Sequence, residues 1–444
     1  MKSVQSPAVA VLGHYGQLNL GDESITAAAI GGVRRWRPDA RVIAISLDPA
    51  DTQARHGVDS YALRRDISRT PLEPPPIVEP SPSEASAESV GLRSMLRRIP
   101  LLRTGVSALR NVANFSKALV REIASLPASW RALDGVDLVI VAGSNQLLDQ
   151  FGGAWGFPYT LLRWTILARL RGARVVLLSV GAGPLSGRLA CQFIRWTLHL
   201  ADYTSVRDEG SAKMVSGIGW KAPVPVRPDL AFSFNVGRPL EPATNTNSTA
   251  PLVVAVNLMP VHDPRWWPGA KPQVQERYLA AVSGFVERLL RQGHRVELYG
   301  TQPADDWVAR DLMSKMTQFA GADRLALTRI RSLDELTALY QRCDVLVPTR
   351  FHGILLALRF ARPVIGICYY RKSRELMRDF GLERYAFDLD SVTADQLEAA
   401  FVDIVAERPR VQDVTSRVAA ERANELAEQY RHVLLPRVLE AARA

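Results

Sequence analysis

An arginine and a histidine lie two residues apart in this sequence, directly after a predicted buried strand. Arg350 and His352 follow the apolar run 345–347, and an apolar helix is predicted from residue 354. A guanidinium group matches the planar geometry of a carboxylate or phosphate, and an imidazole titrates near neutral pH. A lone histidine is more often structural, but a position at the end of a strand favours a functional role. The pair therefore predicts an anion-binding site that holds a general acid–base group.

Five further loops follow predicted strands and carry small or polar residues: 13–22, 142–149, 181–185, 205–209 and 369–372. In α/β sheets, ligands bind beyond the carboxyl ends of the strands, so these loops are the places to look for a site. The candidate substrate-binding residues in them are His14, Asn19, Asp22, Asn145, Gly181, Gly183, Arg207 and Lys372.

Two of these candidates also have an ordinary structural explanation. Arg207 stands beside Asp208 and Glu209 and can pair with either of them. Asp22 is placed to cap the helix that is predicted from about residue 22 to residue 36. The sequence leaves both explanations open.

The sequence predicts neither a metal site nor another cofactor. Asp22, Asp149 and Asp229 are scattered over separate loops, where helix capping is their more probable use. The three cysteines form no C-x-x-C pair, and a disulfide framework or zinc site is not expected. These cysteines are Cys191, Cys343 and Cys368.

The elements that position these loops alternate between strand and helix. The first unit reads as a strand at 8–12, a helix to residue 36 and a strand at 41–47, which is the start of a parallel α/β sheet. A break in composition at 240–251, with Thr, Asn and Pro, indicates a linker, and a second βα series follows it. We therefore predict an α/β protein of two Rossmann-like domains facing across a cleft.

The predicted domains are an N-terminal one over 1–240, the acceptor side, and a C-terminal one over 251–410, the donor side, followed by a helical tail over 411–444. The first domain carries an insertion at about 68–125, which begins with a proline-rich stretch. Within it, residues 92–121 are apolar and basic, with seven cations and no acidic residue. This segment is predicted either to contact an anionic membrane surface or to form a helical hairpin with solvated arginines.

Bulk composition narrows the classes of molecule that this protein is expected to bind. The 444 residues are 47% hydrophobic and 23% charged, with a formal net charge of +10. A positive balance suits phosphates or an anionic membrane, although general solubility explains it as well. No nucleic-acid-binding motif accompanies the charge, so nucleic acid is not a predicted partner. The longest apolar runs are too short to span a bilayer, which predicts a cytoplasmic protein that is either free in solution or located at the inner face of the plasma membrane.

The loops, taken in order, resemble the polysaccharide pyruvyl transferase family. The matching motifs are Gly-x-Tyr-Gly-x-x-Asn-Leu-Gly-Asp-Glu at 13–23, the loop ending at Asp149, Gly-x-Gly-Pro-Leu at 181–185, Ser-Val-Arg-Asp at 205–208, Pro-Asp at 228–229, Thr-Arg-Phe-His at 349–352 and Tyr-x-Lys at 370–372. The family implies the domain arrangement called GT-B. It also implies transfer of a pyruvyl group from phosphoenolpyruvate to two hydroxyls of one sugar, giving a ketal.

By this resemblance, Arg207, Arg350 and His352 contact phosphoenolpyruvate, and His352 is the catalytic residue. The acceptor is a sugar of a polysaccharide or of a lipid-linked repeat unit. The chain departs from the family pattern at His14, where asparagine is frequent, at Ala-Gly-Ser-Asn (142–145), where glycines are usual, and at Thr349 and Phe351, where the family commonly has Met and Leu. These changes affect the expected acceptor more than the donor.

Two other functions fit the same loops. A GT-B glycosyltransferase with a nucleotide-sugar donor would share the cleft and its arginines, but residues 353–374 lack the Asp and Glu that often hold such a donor. A non-catalytic glycan-binding or assembly protein is disfavoured by an arginine and a histidine on one loop.

Overall fold

The computed structural model describes residues 6–64, 122–237, 250–267, 270–316, 319, 323–434 and 436. The basic segment 92–121, nearly all of the predicted insertion and most of the predicted linker lie outside the described residues. Residues 122–132 form a helix that leads back into the first domain.

A six-stranded parallel sheet forms the centre of the first domain, in the order β3-β2-β1-β4-β5-β6. Its four inner strands are runs of mainly Val, Ile, Leu and Ala that are buried on both faces, as is usual in parallel sheets, and the edge strands at 59–62 and 203–206 are more exposed. The strands of this sheet are β1 (Ala8–Leu12), β2 (Arg41–Ser46), β3 (Asp59–Ala62), β4 (Leu138–Ala142), β5 (Arg174–Val180) and β6 (Tyr203–Val206). Leu12 pairs with both Ile45 and Val141, so the loops after these strands emerge at one edge.

Helices cover both faces of this sheet. They are α1 (Leu20–Trp36), α2 (Pro49–His56), α3 (Phe157–Leu170), α4 (Arg188–Leu200) and α5 (Glu209–Gly217). The sequence placed the start of α1 at about Asp22, but Asn19 is the cap, and its side chain accepts from the Gly21 amide. Asp22 lies in the first turn, where a carboxylate favours the helix dipole.

The second domain has a four-stranded parallel sheet in the order β10-β7-β8-β9, extended by a β11–β12 pair. Its strands are β7 (Val253–Asn257), β8 (Arg295–Tyr299), β9 (Leu325–Thr328), β10 (Val345–Val347), β11 (Gly366–Cys368) and β12 (Ala386–Asp388). Its helices are α6 (Pro272–Arg291), α7 (Pro303–Ser314), α8 (Leu333–Arg342), α9 (Phe351–Arg359), α10 (Arg371–Asp379), α11 (Ala394–Ala406) and α12 (Arg408–Gln429).

The chain returns to the first domain at its end. Helix α12 packs against both α9 and the short 3-10 helix Leu230–Ser233 of the first domain. The turn after α12 carries Tyr430, which is buried against Gly32 of α1. Residues 411–429 therefore continue a helix that starts at Arg408 and joins the two domains. Among the described residues, no helix is long and apolar enough to cross a membrane.

Candidate active site

The loop that carries Arg350 and His352 is fixed to the second sheet by buried hydrogen bonds. The Thr349 hydroxyl donates to the carbonyl of Asn257 at 2.9 Å and lies 2.9 Å from the Tyr278 hydroxyl. The Arg350 amide donates to the Asn257 side-chain oxygen at 3.1 Å. Because β7 holds the loop in this way, helix α9 begins at a fixed point, with Arg350 as its cap.

His352 lies across the boundary between the two domains. Its Nε2 is 3.8 Å from the Asp229 carboxylate of the first domain, and it has no hydrogen-bond partner among the described residues. The imidazole also packs against the start of α1, where a methyl group added at Gly21 would come within 2.4 Å of its Nδ1. Only glycine at position 21 permits this close approach.

Asp229 is shared between His352 and Arg207. The Arg207 Nη1 donates to Asp229 Oδ2 at 2.8 Å, and Oδ1 of the same carboxylate accepts from the Ala231 amide. Burial alone would raise the pKa of Asp229, but His352 and the Arg207 charge hold it well below its usual range. Asp229 thus caps a short helix, as the sequence suggested, and also joins two candidate residues from different domains.

Two further contacts determine the orientation of Arg207. A side chain added at Gly181 would come within 2.9 Å of the Arg207 Nε, so Gly181 makes room for the guanidinium. On its other side, this guanidinium lies over the ring of Phe351 at 5.3 Å from the ring centre. The Arg207 guanidinium is thus held between a glycine backbone and an aromatic ring, and these contacts leave some of its N–H donors unoccupied.

Lys372 reaches the same cluster from α10. Its ammonium lies 3.1 Å from Asp208, which is itself 3.7 Å from Arg207. Burial and the neighbouring Arg207 charge lower the pKa of Lys372, although Asp208 opposes this shift. Burial works to raise the pKa of Asp208, but the Lys372 charge and the Ser211 amide outweigh it and lower the pKa. Lys372 and Asp208 therefore form an ion pair, and burial shifts the lysine pKa in the direction that disfavours its charge.

The opening loop closes the cluster from the first domain. Asp22 accepts from the hydroxyl of Ser144 at 2.7 Å and from the side-chain amide of Asn19 at 2.8 Å. Burial raises the pKa of Asp22, and the nearby His352 works against this rise. Asn145 donates to the Gly183 carbonyl at 2.7 Å, which links the loops after β4 and β5.

Two predicted site residues lie apart from this cluster. The Arg350 guanidinium pairs with both carboxylate oxygens of Asp305, a residue with no exposed surface at the start of α7. His14 packs on the ring of Phe157, 3.3 Å between ring centres, and burial followed by the Arg64 charge lowers its pKa to about 3. The structure therefore does not bring Arg350 and His352 to one anion, and substrate contacts by Arg350 and His14 stay predictions.

A cleft of about 970 Å³ lies between α5 and α10. Arg207, Asp208, Asp229, Phe351 and Lys372 line it, and His352 lies directly behind Asp229. This volume suits a small charged molecule together with part of a larger one. Within the described part of the chain, no group of three or more His, Cys, Asp or Glu side chains is placed to hold a metal ion.

Sequence reasoning missed three contributors to this cluster. The sequence marks Asp229 as a cap and as part of the Pro-Asp motif, Phe351 as part of Thr-Arg-Phe-His, and Asp208 as an ion-pair partner available to Arg207, but it makes none of them a candidate site residue. The Pro-Asp motif at 228–229 was the one available signal for Asp229. No sequence pattern showed that Asp229 and His352 would meet, because they belong to different domains.

Comparison with known proteins identifies the relatives of this chain. A family model described as polysaccharide pyruvyl transferase matches residues 19–370. The amylovoran biosynthesis protein AmsJ of Erwinia amylovora is 22% identical over 394 residues, which cover 86% of this chain and 88% of that protein. Both findings agree with the resemblance inferred from the ordered motifs.

Solved structures of other proteins have a fold similar to that of this chain. Anabaena Alr3699/HepE, crystallised with UDP and glucose, superposes with a TM-score of 0.53 at 12% identity and covers 96% of this chain and 98% of its own. A putative UDP-N-acetylglucosamine 2-epimerase from Listeria monocytogenes gives 0.53 at 9% identity, over 96% and 95% of the two chains. The predicted fold class, two Rossmann-like domains in a GT-B-like arrangement, is confirmed.

Proposed function

This chain belongs to the polysaccharide pyruvyl transferase family, and we propose that it transfers a pyruvyl group from phosphoenolpyruvate to two hydroxyls of one sugar. The family makes it an enzyme, a polysaccharide pyruvyltransferase. The proposed product is a cyclic pyruvate ketal on a polysaccharide or on a lipid-linked repeat unit. The proposed place of reaction is the cytoplasm, at the inner face of the plasma membrane.

One observation supports phosphoenolpyruvate as the donor. Arg207 and Lys372 come from opposite domains to the wall of one cleft, and His352 lies behind them. Phosphoenolpyruvate carries a phosphate and a carboxylate, so it needs at least two cations with fixed positions. Without a ligand, Asp208 and Asp229 neutralise these cations, and the donor's anionic groups would compete with those carboxylates.

The proposed reaction has two stages. One sugar hydroxyl adds to C2 of the enol as C3 gains a proton to become a methyl group. The second hydroxyl then forms a C2–O bond as the C2–O(phosphate) bond breaks. Phosphate leaves with the electron pair, and the two hydroxyl protons end on C3 and on phosphate.

His352 is the side chain best placed to move a proton in this scheme. Its Nε2 is buried and unpaired within the described residues, and Asp229 at 3.8 Å can stabilise the protonated imidazole. Arg207 and Lys372 stabilise the charge that develops on the departing phosphate. Asn19, Asp22 and Asn145 lie on the first-domain side, where we propose that the acceptor binds.

A phosphate-release assay tests the proposal. The purified full chain is incubated with phosphoenolpyruvate and candidate lipid-linked or soluble saccharides, and acceptor-dependent release of phosphate is expected, with formation of a ketal that mass spectrometry detects. In a thermal-shift experiment, phosphoenolpyruvate should raise the melting temperature more than UDP or GDP does. Stabilisation by a nucleoside diphosphate alone would instead indicate a nucleotide-sugar donor.

A further inference from the structure

A group of exposed apolar side chains lies on the outer surface of the first domain, away from the active-site cluster. Phe151 is 60% exposed, Trp155 52%, Leu189 43% and Trp196 48%. Soluble monomers rarely expose several large apolar side chains side by side, and such groups usually mark an interaction surface. We call Phe151, Trp155, Tyr159, Leu189, Phe193 and Trp196 the aromatic face.

Helix α4 contributes half of this face through a second apolar stripe. Its inward stripe, which includes Ala190, Ile194 and Leu198, is buried against the sheet. Leu189, Phe193 and Trp196 follow one another at spacings of four and three residues and therefore lie on one side of the helix. Phe193 is itself buried, so only Leu189 and Trp196 of this second stripe are exposed to solvent.

Four of the aromatic side chains form a continuous group across three elements: Trp155 in the short 3-10 helix Gly153–Trp155, Tyr159 in α3, and Phe193 and Trp196 in α4. Phe193 has its ring centre 5.5 Å from that of Trp155, 6.0 Å from that of Tyr159 and 5.9 Å from that of Trp196. On α3, Ile166 and Leu170 follow Tyr159 at helical spacing and are also exposed. The exposed apolar surface therefore extends over both helices.

Basic residues predominate around this face, and Glu122 is an acidic residue that lies beside Tyr159. Residues 150–201, which contain α3 and α4, have no Asp or Glu. The arginines of this stretch are Arg163, Arg169, Arg171, Arg174, Arg188 and Arg195. The first four pair with Glu122, Asp134 or Asp202. Arg188 and Arg195, on the helix that carries Trp196, have no acidic partner within the described ranges.

A shallow groove continues the face past Trp196. It has a volume of about 570 Å³ and is lined by Trp196, His199 and Trp220 together with Arg195 and Lys221. The His199 and Trp220 rings meet edge to face at 5.8 Å. Rings with a polar edge beside basic side chains are the composition found where proteins enter the headgroup region of a bilayer.

We propose that the aromatic face docks this protein on an anionic lipid bilayer. Trp155, Leu189 and Trp196 would enter the interface between headgroups and acyl chains, and Arg188, Arg195 and Lys221 would contact the anionic headgroups. The apolar side chains match the acyl chains of a bilayer in polarity. The nearby cations, which have no acidic partner among the described residues, match the charge of anionic headgroups. This inference does not depend on the proposed reaction, since it concerns binding in the absence of any substrate.

The position of the aromatic face sets how far the active-site cleft would lie from the membrane. Cys191 and Leu185 line the active-site cleft, and Leu189 of the aromatic face lies between them in the chain. The α4 helix of 13 residues is only about 20 Å long, so the face and the cleft are close neighbours. Leu189 and Cys191 are two positions apart on α4 and point to nearly opposite sides, so docking through the face would hold the cleft about one helix diameter, roughly 10 Å, from the membrane surface.

Two other candidate occupants of the aromatic face are the segment 92–121 of this chain and a second copy of the chain. Charge disfavours the first of them. Residues 65–121 leave the described part next to Arg64, whose guanidinium donates to the Trp155 carbonyl at 3.3 Å. The stretch 92–121 is itself basic without acidic residues, so it would be repelled by the cations around the face. A second copy of the chain is the other occupant, and the experiment below detects it.

Cosedimentation of the full chain with phosphatidylcholine vesicles, with and without phosphatidylglycerol, tests the proposal. We expect binding to the anionic vesicles, and we expect L189Q/W196Q to weaken it about tenfold or more, since two apolar side chains no longer enter the interface. V402Q is the matched control, because Val402 is 62% exposed on α11 of the other domain and should leave binding unchanged. R188Q/R195Q should remove most of the preference for anionic vesicles and its dependence on salt.

Three results would overturn the proposal. The first is no vesicle binding by the wild type, and the second is equal binding by the wild type and L189Q/W196Q. In the second case, loss of binding in R97Q/R98Q would assign membrane contact to the segment 92–121 instead. The third is a wild-type dimer in solution that L189Q/W196Q converts to a monomer, which would make the face an interface between copies. Matching melting curves confirm that the variants are folded.

Discussion

The contact between His352 and Asp229 decides how the site is interpreted at the scale of single residues. His352 is one of seven histidines, and its imidazole lies against residues of the other domain. The sequence correctly indicated the loop after β10, because an apolar strand followed by polar residues and a helix is a local pattern. It could not indicate the partner, because that contact forms only when two domains meet.

Replacement of His352 tests the proposed proton transfer. We expect His352→Ala to lower kcat about a hundredfold or more in the phosphate-release assay, as loss of a positioned acid–base group does. His432→Ala is the control, since His432 is 72% exposed on the surface and pairs only with Glu428. Turnover near that of the wild type in His352→Ala would show that this imidazole moves no proton.

The spacing of Arg350 and His352 explains why the two side chains have different partners in the structure. Arg350 caps α9 and His352 lies two positions into the helix. With about 100° of rotation per residue, side chains two positions apart point to nearly opposite sides. Arg350 therefore meets Asp305 of its own domain, and His352 meets the other domain.

Loss of the Arg350 side chain should destabilise the fold. Asp305 has no exposed surface, and its charge would be left without a partner in Arg350→Ala. We expect a loss of about 3–5 kcal/mol in the free energy of unfolding, measured by urea denaturation. Arg417→Ala, which removes an exposed pair with Glu421, should change it by less than about 0.5 kcal/mol. Wild-type stability of Arg350→Ala would instead leave this arginine free for substrate.

At the scale of elements, the junctions between strands and helices were the part of the fold that the sequence predicted. Buried runs of Val, Ile and Leu marked β1, β4, β5, β7 and β10, and the candidate loops followed them. The sequence reading missed β3, β9 and β12, which have only three or four residues each and partly exposed side chains. Short edge strands take their structure from a neighbouring strand, and their own residues carry little signal.

The close approach of α1 to His352 gives a test at this scale. In Gly21→Ala, the new methyl group would lie 2.4 Å from the imidazole, so His352 or α1 must move. We expect at least a tenfold loss of kcat, because small displacements of a catalytic group have large effects. Gly31→Ala in the same helix is the matched control. Nothing lies within 4 Å of its added methyl group, so activity should persist and stability should rise by up to about 1 kcal/mol. Equal activity of the two variants would contradict the close packing.

At the scale of the whole molecule, both domains contribute to one site. Asp208 and Asp229 belong to the first domain, and the residues that they contact, Lys372 and His352, belong to the second. The order of motifs and the alternation of elements predicted two domains with a cleft. The pairing across the cleft depends on side-chain packing that no single stretch of sequence encodes.

The ion pair between Lys372 and Asp208 predicts a pH dependence. Burial lowers the pKa of Lys372, so its charge is lost at a lower pH than the ordinary value of about 10.4. Since kcat/KM reports on the free enzyme, kcat/KM for phosphoenolpyruvate should fall on the alkaline side with a midpoint below that ordinary value. Lys372→Arg should shift the fall to higher pH, because a guanidinium keeps its charge.

Lys213→Arg provides the control for this profile. Lys213 lines the same cleft from α5 and has no acidic partner among the described residues. Its replacement by arginine should leave the alkaline fall where it is in the wild type. If Lys372→Arg also left the profile unchanged, another group would be responsible for the alkaline limb.

The last helix has a consequence for how the protein is made. Tyr430, just after α12, completes the packing of α1 at Gly32, so residues about 400 positions apart must meet. At a synthesis rate of about 5–20 residues per second, the first helix waits some 20–80 s on the ribosome before its final neighbour exists. During that interval the nascent first domain exposes an apolar surface of α1. The unfinished first domain is then a substrate for chaperones. A message truncated before residue 430 would yield a chain that lacks Tyr430 and remains a chaperone substrate.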